Sequence, residues 1–148
     1  MKVSKNDLGF HHIGIVSKDM EIGKRYLENS LGVEQWSEVM KDINQKVSIM
    51  FGRIDGSNFF YELLVPLNDK SPIFNSLKKG INIVNHVAYS LKNFDKNIEV
   101  IRELGSIQLT KPSPAVAFKG AKIVFFMNKL GFITEFIEDD QKINLMEL

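Results

Sequence analysis

Phe10-His11-His12-Ile13-Gly14-Ile15-Val16 is answered later in the chain by Asn85-His86-Val87-Ala88-Tyr89-Ser90-Leu91. His12 and His86 stand 74 residues apart, and the residues after each run in parallel, Lys18-Asp19-Met20-Glu21 matching Lys92-Asn93-Phe94-Asp95. Phe60-Tyr61-Glu62-Leu63-Leu64 matches Ile133-Thr134-Glu135-Phe136-Ile137 at an offset of 73. A one-residue deletion between the anchors, near Gly32 and Gly105, accounts for the change of offset. An internal repeat settles the fold before any single element does.

Each half reads as strand, helix, strand, strand, strand. Residues 10–16 alternate and are rich in β-branched side chains, so they read as a strand with His12, Gly14 and Val16 on one face and His11, Ile13 and Ile15 on the other. Asp19 is placed to cap a helix over 20–30, with Met20, Gly23, Leu27 and Leu31 as its apolar stripe and Gly32 closing it. Strands are expected over 33–39, 47–54 and 59–65, with a polar turn at Asp42-Ile43-Asn44-Gln45 and a hairpin signal at Asp55-Gly56-Ser57-Asn58. Ser71-Pro72 opens a short connector helix, Ser as cap and Pro at the first position, ended by Gly80.

The second half repeats the order. A strand spans 83–91, Asn93 caps a helix with stripe Phe94, Ile98, Ile101 and Leu104, and further strands cover 107–110, 121–127 and 132–137. Residues 111–114 read as a loop. The domain organisation read from this is a first module at 9–66, a connector at 67–82, a second module at 83–138 and a tail at 139–148. The tail is polar at first and then carries apolar residues, Ile143 to Leu148, suited to packing on a partner.

Composition excludes several classes of function. The chain has 148 residues, one duplicated domain's worth, with 44% hydrophobic residues for a core. A net charge of +1 argues for neither nucleic acid nor a membrane surface. There is no cysteine, so neither a disulfide frame nor thiolate chemistry is available. No apolar run approaches the ~20 residues of a membrane span, and the N-terminus lacks a signal-peptide pattern. These features lead to the expectation of a soluble, cytoplasmic protein.

Alternation decides where the repeated polar residues point. His12 shares a face with Gly14 and His86 with Ala88, so small neighbours leave room before each imidazole. Glu62 lies between Phe60 and Leu64 on its face, and Glu135 between Ile133 and Ile137. Burying a carboxylate unpaired on such a face costs several kcal/mol. Either face could instead meet solvent, and a lone His or Glu on a strand is usually structural or exposed. Four such residues at repeat-related places favour a site for one divalent cation, balanced by two neutral imidazoles and two carboxylates. That donor set suits a first-row transition ion, with Zn, Ni, Co, Mn and Fe(II) open. His11 points the other way, and Asn85 stands at its place in the second copy. Such a site can chelate a carbonyl as a Lewis acid while a nearby Glu moves the proton of the adjacent carbon.

His12-Ile13-Gly14-Ile15-Val16, Tyr61-Glu62-Leu63-Leu64-Val65-Pro66, Ser71-Pro72-Ile73, Asn85-His86-Val87-Ala88-Tyr89 and Thr134-Glu135-Phe136 together resemble the vicinal oxygen chelate superfamily. The Glu-Leu-Leu stretch with Ser-Pro-Ile after it is most similar to its methylmalonyl-CoA epimerase and glyoxalase I-like branch. The resemblance implies an α+β fold of two tandem βαβββ modules forming a curved mixed sheet around a metal-binding cleft, and often a homodimer. It implies a metal held by His12, Glu62, His86 and Glu135. It implies Glu135 as a base as well as a ligand, with Glu62 in a matching catalytic role on the other face of the substrate. The implied activity is a lyase or isomerase acting on a small molecule, a thioester among the candidates. A non-catalytic binding protein of the same fold is the alternative, and an Fe(II) dioxygenase, which would usually use two His and one carboxylate, comes third.

The chain departs from the epimerase pattern in three places. Asn44 stands where the epimerases carry a catalytic Glu, so Glu62 or Asp42 would have to supply the second base. The stretches that help hold the coenzyme in the family read Ala117-Phe118-Lys119-Gly120-Ala121-Lys122 and Met127-Asn128-Lys129-Leu130-Gly131 here. Lys119 and Lys122 could still meet an anion, although exposed lysines are more often merely solvated.

Overall fold

The computed structural model describes all 148 residues and is mixed α+β, with a ten-stranded sheet. The chain divides into two compact units, one of Met1–His11 and His86–Glu147, the other of His12–Asn85 with Leu148.

Strand β1 (Leu8–Val16), which enters the unit of His12–Asn85 at His12, leads there into helix α1 (Met20–Leu31), then β2 (Gln35–Trp36), β3 (Met40–Asp42), β4 (Val47–Arg53) and β5 (Phe60–Pro66). The strand order is β2-β4-β5-β1, with β3 also on β4. β1 and β5 run parallel, while β4 is antiparallel to β5. Asp19 caps α1 as expected, its carboxylate accepting from the backbone N–H of Ile22 at 2.9 Å. Gly32 ends the helix in the left-handed region at φ 71°. Of the expected stripe only Leu27 is buried within the helix. It packs with Val33, Leu63 and the partly buried Met20 and Trp36, while Leu31 is exposed.

The strand expected over 33–39 is shorter and broken. β2 keeps two residues, and a separate strand β3 ends at Asp42, which the sequence pattern places in a turn. The turn after β3 is tied by Asp42 itself, whose Oδ1 accepts from the N–H of Gln45 at 3.0 Å and Oδ2 from the Gln45 side chain at 2.9 Å. The connector helix α2 (Phe74–Lys79) starts later than expected. Ile73 is its N-cap residue, and Ser71 makes no side-chain cap bond.

In the other unit, β6 (Val84–Leu91), α3 (Phe94–Glu103), β7 (Ile107–Gln108), β8 (Ser113–Pro114), β9 (Lys122–Met127) and β10 (Ile133–Glu138) come in order, with a 3-10 turn at Val116–Phe118 before β9. The strands run β6-β10-β9-β7, with β8 also on β9; β10 is parallel to β6 and antiparallel to β9. Phe94, Ile98 and Ile101 of α3 pack on Leu91, Val124, Phe126 and Phe136. The expected Asn93 side-chain cap is absent: Asn93 is in the left-handed region at φ 48° rather than extended, and its amide N–H donates to the carboxylate of Asp7 in the N-terminal leader. Asn97 joins it on Asp7 at 2.9 Å, and these two amides hold the Asp7 carboxyl below its ordinary value. The C-terminal tail folds back within this unit, the His11 Nε2–H donating to the carbonyl of Leu145 at 2.7 Å.

Candidate metal centre

Strand pairing places the same three side-chain types around the same row in each unit. In the first, Gly14 of β1 and Phe51 of β4 flank Glu62 of β5 as its pairing partners, and His12 pairs with Phe60 one pleat away. In the second, Ala88 of β6 and Phe125 of β9 flank Glu135 of β10. A small residue on the histidine strand is thus the register partner of each Glu.

His12, Glu62, His86 and Glu135 are all buried, at 0%, 3%, 3% and 2% exposure. In the unit of His12–Asn85, Nε2 of His12 lies 3.6 Å from Oε1 of Glu62. In the other, Nε2 of His86 lies 2.9 Å from Oε2 of Glu135. The four residues form a group that could hold a metal ion, each offering one ligand atom, with these atoms within 4.8 Å of one another. Two borderline nitrogens and two hard oxygens, all buried, are a donor set that suits a divalent transition ion.

His11 stays outside this group. Its ring is edge-on to Phe118 at 5.4 Å, and its Nε2 proton is committed to the Leu145 carbonyl. Asn44 lies in the exposed turn after β3, and both oxygens of Asp42 are occupied by Gln45. Lys119 and Lys122 both have carboxylate partners. Lys119 meets Glu147 at 3.4 Å, and Lys122 meets Asp95 and Glu138 at 3.4 Å each. Burial pulls Lys122 down, but Glu138 and Asp95 outweigh it and hold the ammonium above its ordinary value. The backbone N–H groups of residues 118–121 close onto carbonyls of their own loop, so this turn is not an open cradle for phosphate.

Sequence reasoning misses two aromatic residues of the site. Phe51 lies edge-on to His12 at 5.3 Å and 73°, and Phe125 edge-on to His86 at 5.4 Å and 81°. The signal is present in the chain, since Phe51 and Phe125 are separated by 74 residues, as the histidines are.

A duplicated β-strand scaffold with one buried His and one buried Glu in each half defines a class of α+β proteins. The chain belongs to the glyoxalase/bleomycin resistance protein/dioxygenase superfamily, whose sequence profile matches residues 11–125. It is 23% identical over 120 residues to the mitochondrial methylmalonyl-CoA epimerase of Dictyostelium discoideum, covering 80% of this chain and 70% of that protein. Among solved structures, it is similar to a hypothetical protein from Bacillus halodurans, with TM-score 0.79, 25% identity and coverage of 93% of this chain and 98% of the other. Methylmalonyl-CoA epimerase from Mycobacterium tuberculosis matches with TM-score 0.76 and 21% identity over 88% and 87% of the two chains. A variant of the Streptomyces coelicolor epimerase in complex with 2-nitronate-propionyl-CoA matches with TM-score 0.76 and 24% identity over 91% and 96%. No helix is long and apolar enough to cross a membrane.

Proposed function

We propose that the protein is a divalent-metal-dependent isomerase or lyase that moves a proton next to a chelated carbonyl or thioester. The observation that carries this reading is the buried group of His12, Glu62, His86 and Glu135, one His and one Glu from each repeat. The neighbours that bind coenzyme A thioesters support a thioester as the first substrate to try.

In this reading His12, Glu62, His86 and Glu135 would hold the ion. A bound divalent cation would polarise the carbonyl and offset the negative charge that develops as the neighbouring C–H ionises. Glu135 would take that proton on one of its carboxylate oxygens. Return of the proton by Glu135 to the same face regenerates the substrate; delivery to the opposite face by Glu62 gives the epimer. Phe51 and Phe125 pack edge-on with the two imidazoles. Asn44 cannot take a proton from carbon, and its place in an exposed turn leaves the two ligand carboxylates as the acid–base pair.

Incubating the cobalt- or zinc-loaded protein with methylmalonyl-CoA and related acyl thioesters in deuterium oxide tests this. Deuterium at the α-carbon, lost in Glu135→Gln, is the expected result. Tight binding of a thioester with no exchange would instead establish the alternative, a small-molecule binding protein of the same fold, which the absence of an acid at position 44 favours.

A further inference from the structure

The two repeats share His, Glu and Phe but differ in polarity on the strands beyond them. Arg53 and Met127 stand 74 residues apart, each two residues after the phenylalanine that meets the histidine. Their strand partners are Gln35 in the first repeat and Ile107 in the second. Ser37 donates its backbone N–H to the Phe51 carbonyl, and Leu109 does the same to Phe125. Three polar positions of the first repeat are thus apolar in the second. In the first repeat those side chains make local hydrogen bonds, Arg53 to Gln35 at 2.8 Å and the N–H of Phe51 to Ser37 Oγ at 2.9 Å.

In the unit of Met1–His11 and His86–Glu147 the apolar positions form two rows leading outward from the ligand residues. Register partners on neighbouring strands, and residues two apart on one strand, present their side chains to one face of a sheet. The first row is Ala88, Glu135 and Phe125, continued by Leu109 through its bond to the Phe125 carbonyl at 2.8 Å. The second is Ile133, Met127 and Ile107. One step on in the β6–β10 register, Ile133 comes level with His86, as Phe60 does with His12. Burial falls along both rows. His86 and Glu135 are buried, Ile133, Phe125 and Met127 are half-buried, and at the β7 edge Leu109 is 47% and Ile107 65% exposed.

A single exposed Leu or Ile is ordinary, but apolar side chains gathered in ordered rows mark a binding surface. The rows end on Glu135 and His86, so their occupant is small enough to reach the ligand residues. A second protein copy would rest on the outer edge, where only Ile107 and Leu109 are well exposed. Two side chains fall far short of the roughly 800 Å² per partner of a stable interface.

We propose that Ile107, Leu109, Phe125, Met127 and Ile133 form a subsite for an apolar arm, an alkyl chain or aryl ring, of the carbonyl compound that the His/Glu group chelates. This assignment rests on the metal reading above and narrows it to ligands with a hydrophobic arm. The arm has only the second repeat to lie on, since Gln35, Ser37 and Arg53 replace Ile107, Leu109 and Met127 in the first. The five residues set specificity and take no proton.

The test titrates cobalt-loaded protein with acetohydroxamic, butyrohydroxamic and hexanohydroxamic acids, read by the visible cobalt spectrum. A fully buried methylene gives about fourfold in affinity, so a half-open shelf should give about two- to threefold per added methylene. Ile107→Ser with Leu109→Ser should flatten that gain and leave acetohydroxamic acid binding as before, which also reports an intact fold and metal group. Ile22→Ser, at an equally exposed isoleucine of α1, should leave the gain in place. A flat series in the unaltered protein, or a gain that survives the double variant, overturns the subsite while the metal reading stands. Sedimentation of the same proteins reads the rival occupant: a dimer that the double variant dissociates, with the chain-length gain unchanged, would make the edge a self-association surface and overturn the subsite too. If cobalt does not bind, or binds and no hydroxamate perturbs its spectrum, chelation at this group is wrong and the subsite falls with it.

Discussion

Oε2 of Glu135 lies 2.9 Å from Nε2 of His86, whereas the matching atoms of Glu62 and His12 are 3.6 Å apart. The first distance is that of a hydrogen bond and the second is not, so the repeat has kept its residues but not their spacing. If all four bind one ion, both carboxylates matter to it directly. Loss of outer partners of metal ligands already costs 10–100-fold in affinity, so Glu62→Gln and Glu135→Gln should each weaken zinc or cobalt binding by more than about 100-fold. Competition against a chromophoric chelator measures this. Unchanged affinity in Glu62→Gln would remove the first-repeat carboxylate from the metal set.

Phe51 and Phe125 make the same edge-on contact with their histidines but differ in burial, Phe51 being 6% exposed and Phe125 only partly buried. Truncating a buried Phe to Ala costs about 3–5 kcal/mol through lost transfer energy and the cavity left behind. Phe51→Ala should fall in that range and Phe125→Ala below it, as read by urea denaturation. Both should also loosen metal binding, because each imidazole loses the ring that limits its rotation. Phe→Leu at either position should recover most of the stability and less of the affinity. Equal recovery of both would assign these rings to the core alone.

Legible and illegible residues differ in how far their information reaches along the chain. Two His and two Glu are readable because duplication writes each polar residue twice, on strands long enough to show alternation. Phe51 and Phe125 are written twice as well, but a phenylalanine on an apolar strand face looks like any core residue. β2, β3, β7 and β8 have two or three residues each, too few for a period to appear, so the pattern overstates the second strand of each half. Asn93 reads as a cap from its neighbours, yet its partner is Asp7, 86 residues away.

Gly52 carries a prediction about how α1 and β2 pack on the first-unit strands. A Cβ built there would come within 2.5 Å of the Trp36 ring and 2.7 Å of Val33 Cγ1. Trp36 and Val33 belong to the apolar cluster with Leu27 and Leu63, so neither can move without disturbing the helix seat. Gly52→Ala should destabilise the protein by about 1–3 kcal/mol, the usual cost of overpacking. Gly56, with open space around its Cα but φ +76°, provides the contrast. Gly56→Asn, which tolerates that conformation, should be nearly neutral. Thermal midpoints of the two variants, measured side by side, check the difference.

Asp7 ties the N-terminal leader to α3 and sets an acid limit on that contact. The Asn97 amide first, then Asn93, hold its carboxyl below the ordinary 3.8. The folded state therefore binds this proton more weakly than the unfolded chain does. The stabilisation is fully present above pH 3.8 and is lost as pH falls through the lowered folded value. Neutralising Asp7 by Asp7→Ala should lower stability at neutral pH, and the gap from the unaltered protein should narrow on acidification below 3.8. Because the group is at the surface, added salt should shrink only the smaller share due to Lys96 and Lys92, leaving the amide contribution in place. Denaturant midpoints at about pH 7, 5 and 3, each at low and high salt, decide it. A gap that widens toward low pH would mean the leader is held by something other than the Asp7 carboxylate.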